Sequence, residues 1–97
     1  MNIYDYITPK SGETFTTLLE HKNIKIKRIV SSDELAETEY IQEEDEWLIL
    51  LEGEATLLLD DVKKTLRKGD TLFIPLKTPH RVLSTQSGTV WLTVHIF

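Results

Sequence analysis

From Ile24 onward, apolar and polar residues alternate with a period of two, the spacing of strands whose successive side chains point to opposite faces. Ile24 and Ile26 alternate with Lys25 and Lys27, and Ile29 and Val30 continue the run, which predicts a half-buried strand with a wet basic face. Two apolar runs, Glu46 to Leu51 and Ala55 to Leu59, flank Glu52-Gly53-Glu54. A glycine between such runs is a hairpin signal. Asp60-Asp61 marks a turn into Val62 to Leu66, and Lys68-Gly69-Asp70 marks another into Thr71 to Ile74. Pro75 and Pro79 bound a stiff loop, since neither can donate to a ladder. Arg81 to Ser84 and Thr89 to Phe97 read as the last strands. The earlier part of the chain differs: Phe15, Leu18 and Leu19 fall at helical spacing and predict one short helix or turn packing on the body. Ser31 with Glu34 fits a capping box, and Ser31 to Thr38 reads as a turn into a short strand from about Glu39 to Gln42.

Roughly seven to nine short strands with regular turns predict an all-β sandwich or barrel, antiparallel, with at most one or two short helices. The length of 97 residues suits one domain, residues 1–23 forming an N-terminal extension packed on a barrel of residues 24–97. Apolar residues at 40% and charged residues at 28% are ordinary globular usage, so the chain can bury a core. A net charge of −5 argues against a sequence-independent grip on nucleic acid or on an anionic membrane, both of which rely on clustered Lys and Arg. With no cysteine there is no disulfide framework, Cys-ligated zinc or thiol chemistry. The start Met-Asn-Ile-Tyr-Asp-Tyr lacks signal-peptide character, which makes a cytoplasmic location the expectation.

Period two places Glu46, Leu48 and Leu50 on one face and Trp47, Ile49 and Leu51 on the other. A carboxylate on an otherwise aliphatic face requires a partner, either a metal ion or a buried hydrogen-bond donor. The second apolar row needs cover from a helix, the N-terminal segment or another subunit, and together with Trp91 it predicts a homodimer. Glu43, Glu44 and Asp45 read as a solvated loop. His80 can offer a ring nitrogen to a first-row metal or carry a proton near neutral pH. His95 reads as a histidine satisfied within packing or as a substitute ligand beside His80, His21 as solvated, and Trp91 as core or interface. No serine has a nucleophile-elbow context and no glycine-rich loop could cradle phosphate.

Glu46 lies seven positions before Gly53, and Gly69 opens the run Gly-Asp-Thr-Leu-Phe-Ile-Pro-Leu-Lys-Thr-Pro-His-Arg. This arrangement resembles the paired motifs of the cupin superfamily, G-x5-H-x-H-x3-4-E-x6-G and G-x5-P-x-G-x2-H-x3-N. Glu46, Gly53, Gly69, Pro75 and His80 match, whereas Lys77 and Ser84 replace the second glycine and the asparagine. The places of the two first-motif histidines fall on Tyr40 and Gln42, or with one more intervening residue on Glu39 and Ile41. The resemblance implies a small single-domain cupin, a jelly-roll barrel enclosing a pocket. Its implied ligand-binding residues are Tyr40, Gln42, Glu46 and His80. Its implied metal set is His80, Glu46 and Gln42, holding one weakly bound divalent ion or none, because a phenol and an amide are poor substitutes for two imidazoles. Cupins include dioxygenases, isomerases and decarboxylases as well as non-enzymatic binding modules, and a fold does not choose among them. Two functions follow: a module binding a small molecule without metal, or a metal-dependent enzyme acting on a small polar substrate.

Overall fold

A computed structural model of the chain describes residues 1–36 and 39–97. Eight strands succeed one another: β1 (Glu13–His21), β2 (Ile24–Ser31), β3 (Asp45–Glu52), β4 (Glu54–Leu59), β5 (Val62–Arg67), β6 (Thr71–Ile74), β7 (His80–Thr85) and β8 (Thr89–Ile96). They build two antiparallel sheets, five-stranded in the order β1-β2-β8-β3-β6 and three-stranded in the order β5-β4-β7. The described residues contain no helix. The all-β antiparallel architecture expected from the alternation is therefore the one observed.

The helix or turn expected from Phe15, Leu18 and Leu19 is instead strand β1, paired with β2 along its length. The register shifts between Thr17 and Leu19, so Phe15 stands opposite Ile29 while Leu19 stands opposite Ile26, on the other face. A β-bulge at Leu18 adds one residue to a period of two, and the apolar positions then mimic a helical spacing. The basic face of β2 also lies elsewhere than expected. Lys25 and Lys27 pair with His95 and Thr93 on the concave side of the sheet, whereas Ile24, Ile26 and Arg28 face outward. Arg28 is buried all the same. Its guanidinium donates to the carbonyls of Ile3 and Asp5 at 3.1 and 3.2 Å and lies over the Tyr6 ring, which ties the N-terminal segment across the outer face.

The glycine turn at residue 53 is not a hairpin. β3 pairs with β8 and β6, β4 pairs with β5 and β7, and Gly53 carries the chain from one sheet to the other. Gly53 holds φ at +88°, and a Cβ there would lie 2.4 Å from Thr89 Oγ1 and 2.8 Å from the Thr89 Cα. Only glycine meets both demands. The capping box is absent too: the Ser31 hydroxyl turns inward to bond Glu13, and it is Ser32 Oγ that accepts the Glu34 N–H at 3.1 Å. The remainder of that turn reaches residues 37 and 38, outside the described residues. The short strand expected over residues 39–42 reduces to a single bridge between Tyr40 and His80.

The core lies between the sheets, where Leu48, Leu50 and Trp91 of the larger sheet and Ile74 of β6 meet Ala55, Leu57 and Leu66 of the smaller. Leu50 has no exposed surface, and burial of a leucine contributes about 1.5–3 kcal/mol. Trp91 belongs to this core, its indole N–H donating to Ser31 Oγ at 3.0 Å.

Candidate functional site

Alternation along β3 turns Glu46 inward with Leu48 and Leu50, and all three are buried. They border a cavity of about 270 Å³ whose floor is aliphatic and aromatic, from Ile29, Leu48, Leu57, Ile74, Val82 and Trp91. Tyr40, Gln42, Glu44, Glu46, Thr93, His80 and His95 supply polar groups, and Glu13, Lys27 and Arg81 complete the charged lining. All four residues singled out for ligand binding, Tyr40, Gln42, Glu46 and His80, therefore border one cavity.

Within it, Tyr40 contacts His80 and Gln42 contacts Glu46. His80 begins β7, where its backbone exchanges hydrogen bonds with Tyr40 and its ring stacks on the Tyr40 ring at 5.8 Å. Its Nδ1–H donates to the Thr78 carbonyl at 3.0 Å, which leaves Nε2 as the free ring nitrogen. The loop below is held by two further bonds, from the Lys77 N–H to the Gln42 carbonyl and from the Leu76 N–H to Asp45 Oδ1. Lys77 adopts φ of +60°, so the position of the second motif glycine keeps the left-handed backbone with a lysine in place.

Glu46 meets a different histidine. β3 and β8 pair Glu46 with His95, whose Nδ1 lies 3.8 Å from Glu46 Oε1 and 3.3 Å from Glu44 Oε2. Gln42 Nε2 donates to Glu46 Oε1 at 3.0 Å, and His95 Nε2 lies 3.0 Å from Thr93 Oγ1. His95 is thus a cavity group, and Glu44 is no solvated loop residue, since its side chain is only 15% exposed. The signal for Glu44 is the continuation of period two backward from Glu46, which puts Gln42, Glu44 and Glu46 on one side of the chain. His21 is exposed, as its polar neighbours require.

A family profile described as "cupin domain" matches residues 30–95. The chain belongs to the cupin family. This cupin is 36% identical to an uncharacterised protein of Methanocaldococcus jannaschii over 81% of its own length and 70% of that protein's. Its fold is similar to that of a Ralstonia eutropha protein provisionally assigned as a mannose-6-phosphate isomerase, with a TM-score of 0.89, 34% identity and coverage of 99% and 95% of the two chains. A cupin superfamily protein of Desulfitobacterium hafniense superposes with a TM-score of 0.81 at 19% identity, covering 95% of this cupin and 84% of that chain, and shows the shared fold.

In this cupin the donors at the family's ligand positions do not fit a resident metal. Gln42 turns its amide nitrogen to Glu46, and Tyr40 presents a stacked phenol. Among the described residues no group of three His, Asp or Glu side chains is arranged to hold an ion. No helix of the described residues is long and apolar enough to cross a membrane.

Glu13 makes the cavity wall pH-sensitive. Burial raises its carboxyl pKa, opposed in part by the hydrogen bond from Ser31 Oγ. The folded chain then holds this proton to higher pH than the unfolded chain does, so the stabilisation is complete in acid and is lost as pH rises through the folded value. Replacing Glu13 with Gln should remove that slope. In urea unfolding, the midpoint of Glu13→Gln relative to the parent is expected to rise between acidic and neutral pH; an equal difference at both would contradict the buried carboxyl.

Proposed function

We propose that this cupin is a small-molecule-binding module whose ligand is held directly by side chains of the barrel cavity. The observation that carries this is the cavity itself, an apolar floor ending in convergent polar groups, Glu44, Glu46 and His95 on one wall and His80 with Tyr40 on another. Cavities of this make-up bind small molecules by burying an apolar body and fixing it with a few polar contacts. Glu46, Gln42, His80 and Tyr40 are the ligand-binding residues of this reading. The Ralstonia relative's provisional assignment offers a second reading, a metal-dependent isomerase of small polar substrates. It is supported by His80, whose anchored Nδ1 leaves Nε2 free as in metal-ligating histidines.

Elemental analysis of tag-free protein purified without chelator separates the two. The expected result is iron, manganese and zinc well below one atom per chain, with hits from a small-molecule screen shifting the His80 and His95 ring resonances. One tightly held metal atom per chain would instead overturn the metal-free module and favour the enzyme reading.

We also propose that the module is a homodimer. On the outer face of the five-stranded sheet, Leu19, Ile26, Val94, Trp47 and Phe73 align in one row across all five strands. Leu19, Trp47 and Phe73 are exposed, while the N-terminal segment packs around Arg28 and Val30 instead. A flat apolar row of this width is the kind of surface that a second copy covers.

A further inference from the structure

Beside the cavity floor, two carboxylates converge on a histidine ring nitrogen. Glu44 Oε2 and Glu46 Oε1 lie 3.3 and 3.8 Å from His95 Nδ1, and the side chains of Glu46 and His95 are each 8% exposed. His95 Nδ1 is wholly buried and has no hydrogen-bond partner. Carboxylates only accept, and a buried polar atom left unpaired costs about 1–3 kcal/mol, so the cluster is complementary to something that donates. The only protein donor that reaches either carboxylate by a side-chain hydrogen bond among the described residues is Gln42, on Glu46. Neither Lys27 nor Arg81, the cations lining the cavity, forms an ion pair with Glu44 or Glu46 among the described residues.

Resting on the small-molecule reading above, we propose that the ligand is a primary amine whose ammonium group sits among Glu44, Glu46 and His95 Nδ1. An ammonium carries three N–H donors on one atom and no acceptor, which matches two carboxylates and one imidazole lone pair. In the proposed complex His95 takes the tautomer in which Nε2–H donates to Thr93 Oγ1, 3.0 Å away, leaving Nδ1 to accept from the ammonium. The apolar body of the ligand packs on Ile74, directly opposite Glu46 across β6, and on Leu48, two residues along the same face of β3. The partial enclosure of Glu44 and Glu46 strengthens the attraction for a cation over that at an open surface. It also disfavours an anionic head group at this end. Phosphate or carboxylate ligands would have to turn toward Lys27.

Three probes of one shape test the charge preference: benzylamine, benzyl alcohol and benzoate, titrated into the full chain near neutral pH and followed by amide and imidazole NMR shifts. Benzylamine is expected to bind about tenfold or more tightly than the alcohol, the scale of one charge-assisted contact, with benzoate weakest. In Glu44→Gln, whose native-like spectrum serves as the folding control, the preference for amine over alcohol should fall to about twofold or less. The His95 Nδ1 nitrogen resonance should report an unprotonated nitrogen in the benzylamine complex. Benzoate or alcohol binding as tightly as the amine, or an amine preference unchanged in Glu44→Gln, would overturn the amine proposal and leave the binding module standing. Stoichiometric Mn²⁺ binding that broadens His95 and is lost in Glu44→Gln would replace the ammonium with a metal. If none of the three probes perturbs the cavity, both this proposal and the binding reading fall.

Discussion

Gly53→Ala is expected to cost about 2–5 kcal/mol, much of the roughly 5–15 kcal/mol that holds a domain of this kind together. Two penalties act at one atom. A φ of +88° disfavours any residue with a Cβ, and that Cβ would press on the side chain and backbone of Thr89 at 2.4 and 2.8 Å. Thr89 has little room to retreat, because it is fully buried and its hydroxyl donates to the Gln86 carbonyl at 2.7 Å. Gly69→Ala is the control, since Gly69 has the same φ of +88° with nothing within 4 Å of an added Cβ. It should cost about 1–2 kcal/mol, the conformational penalty alone. Urea unfolding of both variants gives the comparison. Equal losses would mean that the crossing between the sheets does not depend on the close approach to Thr89.

Trp47→Lys is expected to convert the proposed homodimer to monomer, raising the dissociation constant roughly 30-fold to 1,000-fold, as loss of a large aromatic anchor does. Trp47 stands between Phe73 of β6 and Val94 of β8, near one end of the apolar row, and is itself 37% exposed in the single chain. A lysine there would place one charge opposite its symmetry-related copy or the apolar row, without disturbing the core. Light scattering at tens of micromolar protein should report two chain masses for the parent and one for the variant, with an unchanged fold by circular dichroism. A parent protein that already runs at one chain mass removes the dimer.

Much of this could be read from residue order because alternation is a local property. Glu46, Leu48 and Leu50 face inward because nothing interrupts the period of two between them. The motif spacing from Gly69 to His80 likewise survives folding as one turn, one short strand and one loop. What could not be read depends on partners distant in the chain. Leu18 looks helical because a bulge hides in the alternation, and bulges are defined by the opposite strand. Glu52-Gly53-Glu54 resembles a hairpin turn because a sheet crossing uses the same glycine backbone; the difference lies in Thr89, 36 residues on. Lys25 and Lys27 alternate with isoleucines, but which set faces inward is decided by pairing with β8. His95 became a site residue through the same strand, which sets it beside Glu46. Glu44 was obscured by its acidic neighbours, whose composition suggests water while its position suggests the cavity.

β8 is the last strand in the chain and is flanked by β2 and β3 within the larger sheet. Residue 24 must find residue 96, and neither β2 nor β3 has its shared neighbour until Thr89 to Ile96 has left the ribosome. Strand pairing across such separations pays its loop-closure entropy before any contact rewards it, which makes folding slow relative to chains with local contacts. Nascent chains should therefore stay protease-sensitive until β8 has emerged and become resistant in a single step, when the strand bearing Trp91, Thr93 and His95 closes the sheet and completes the cavity together.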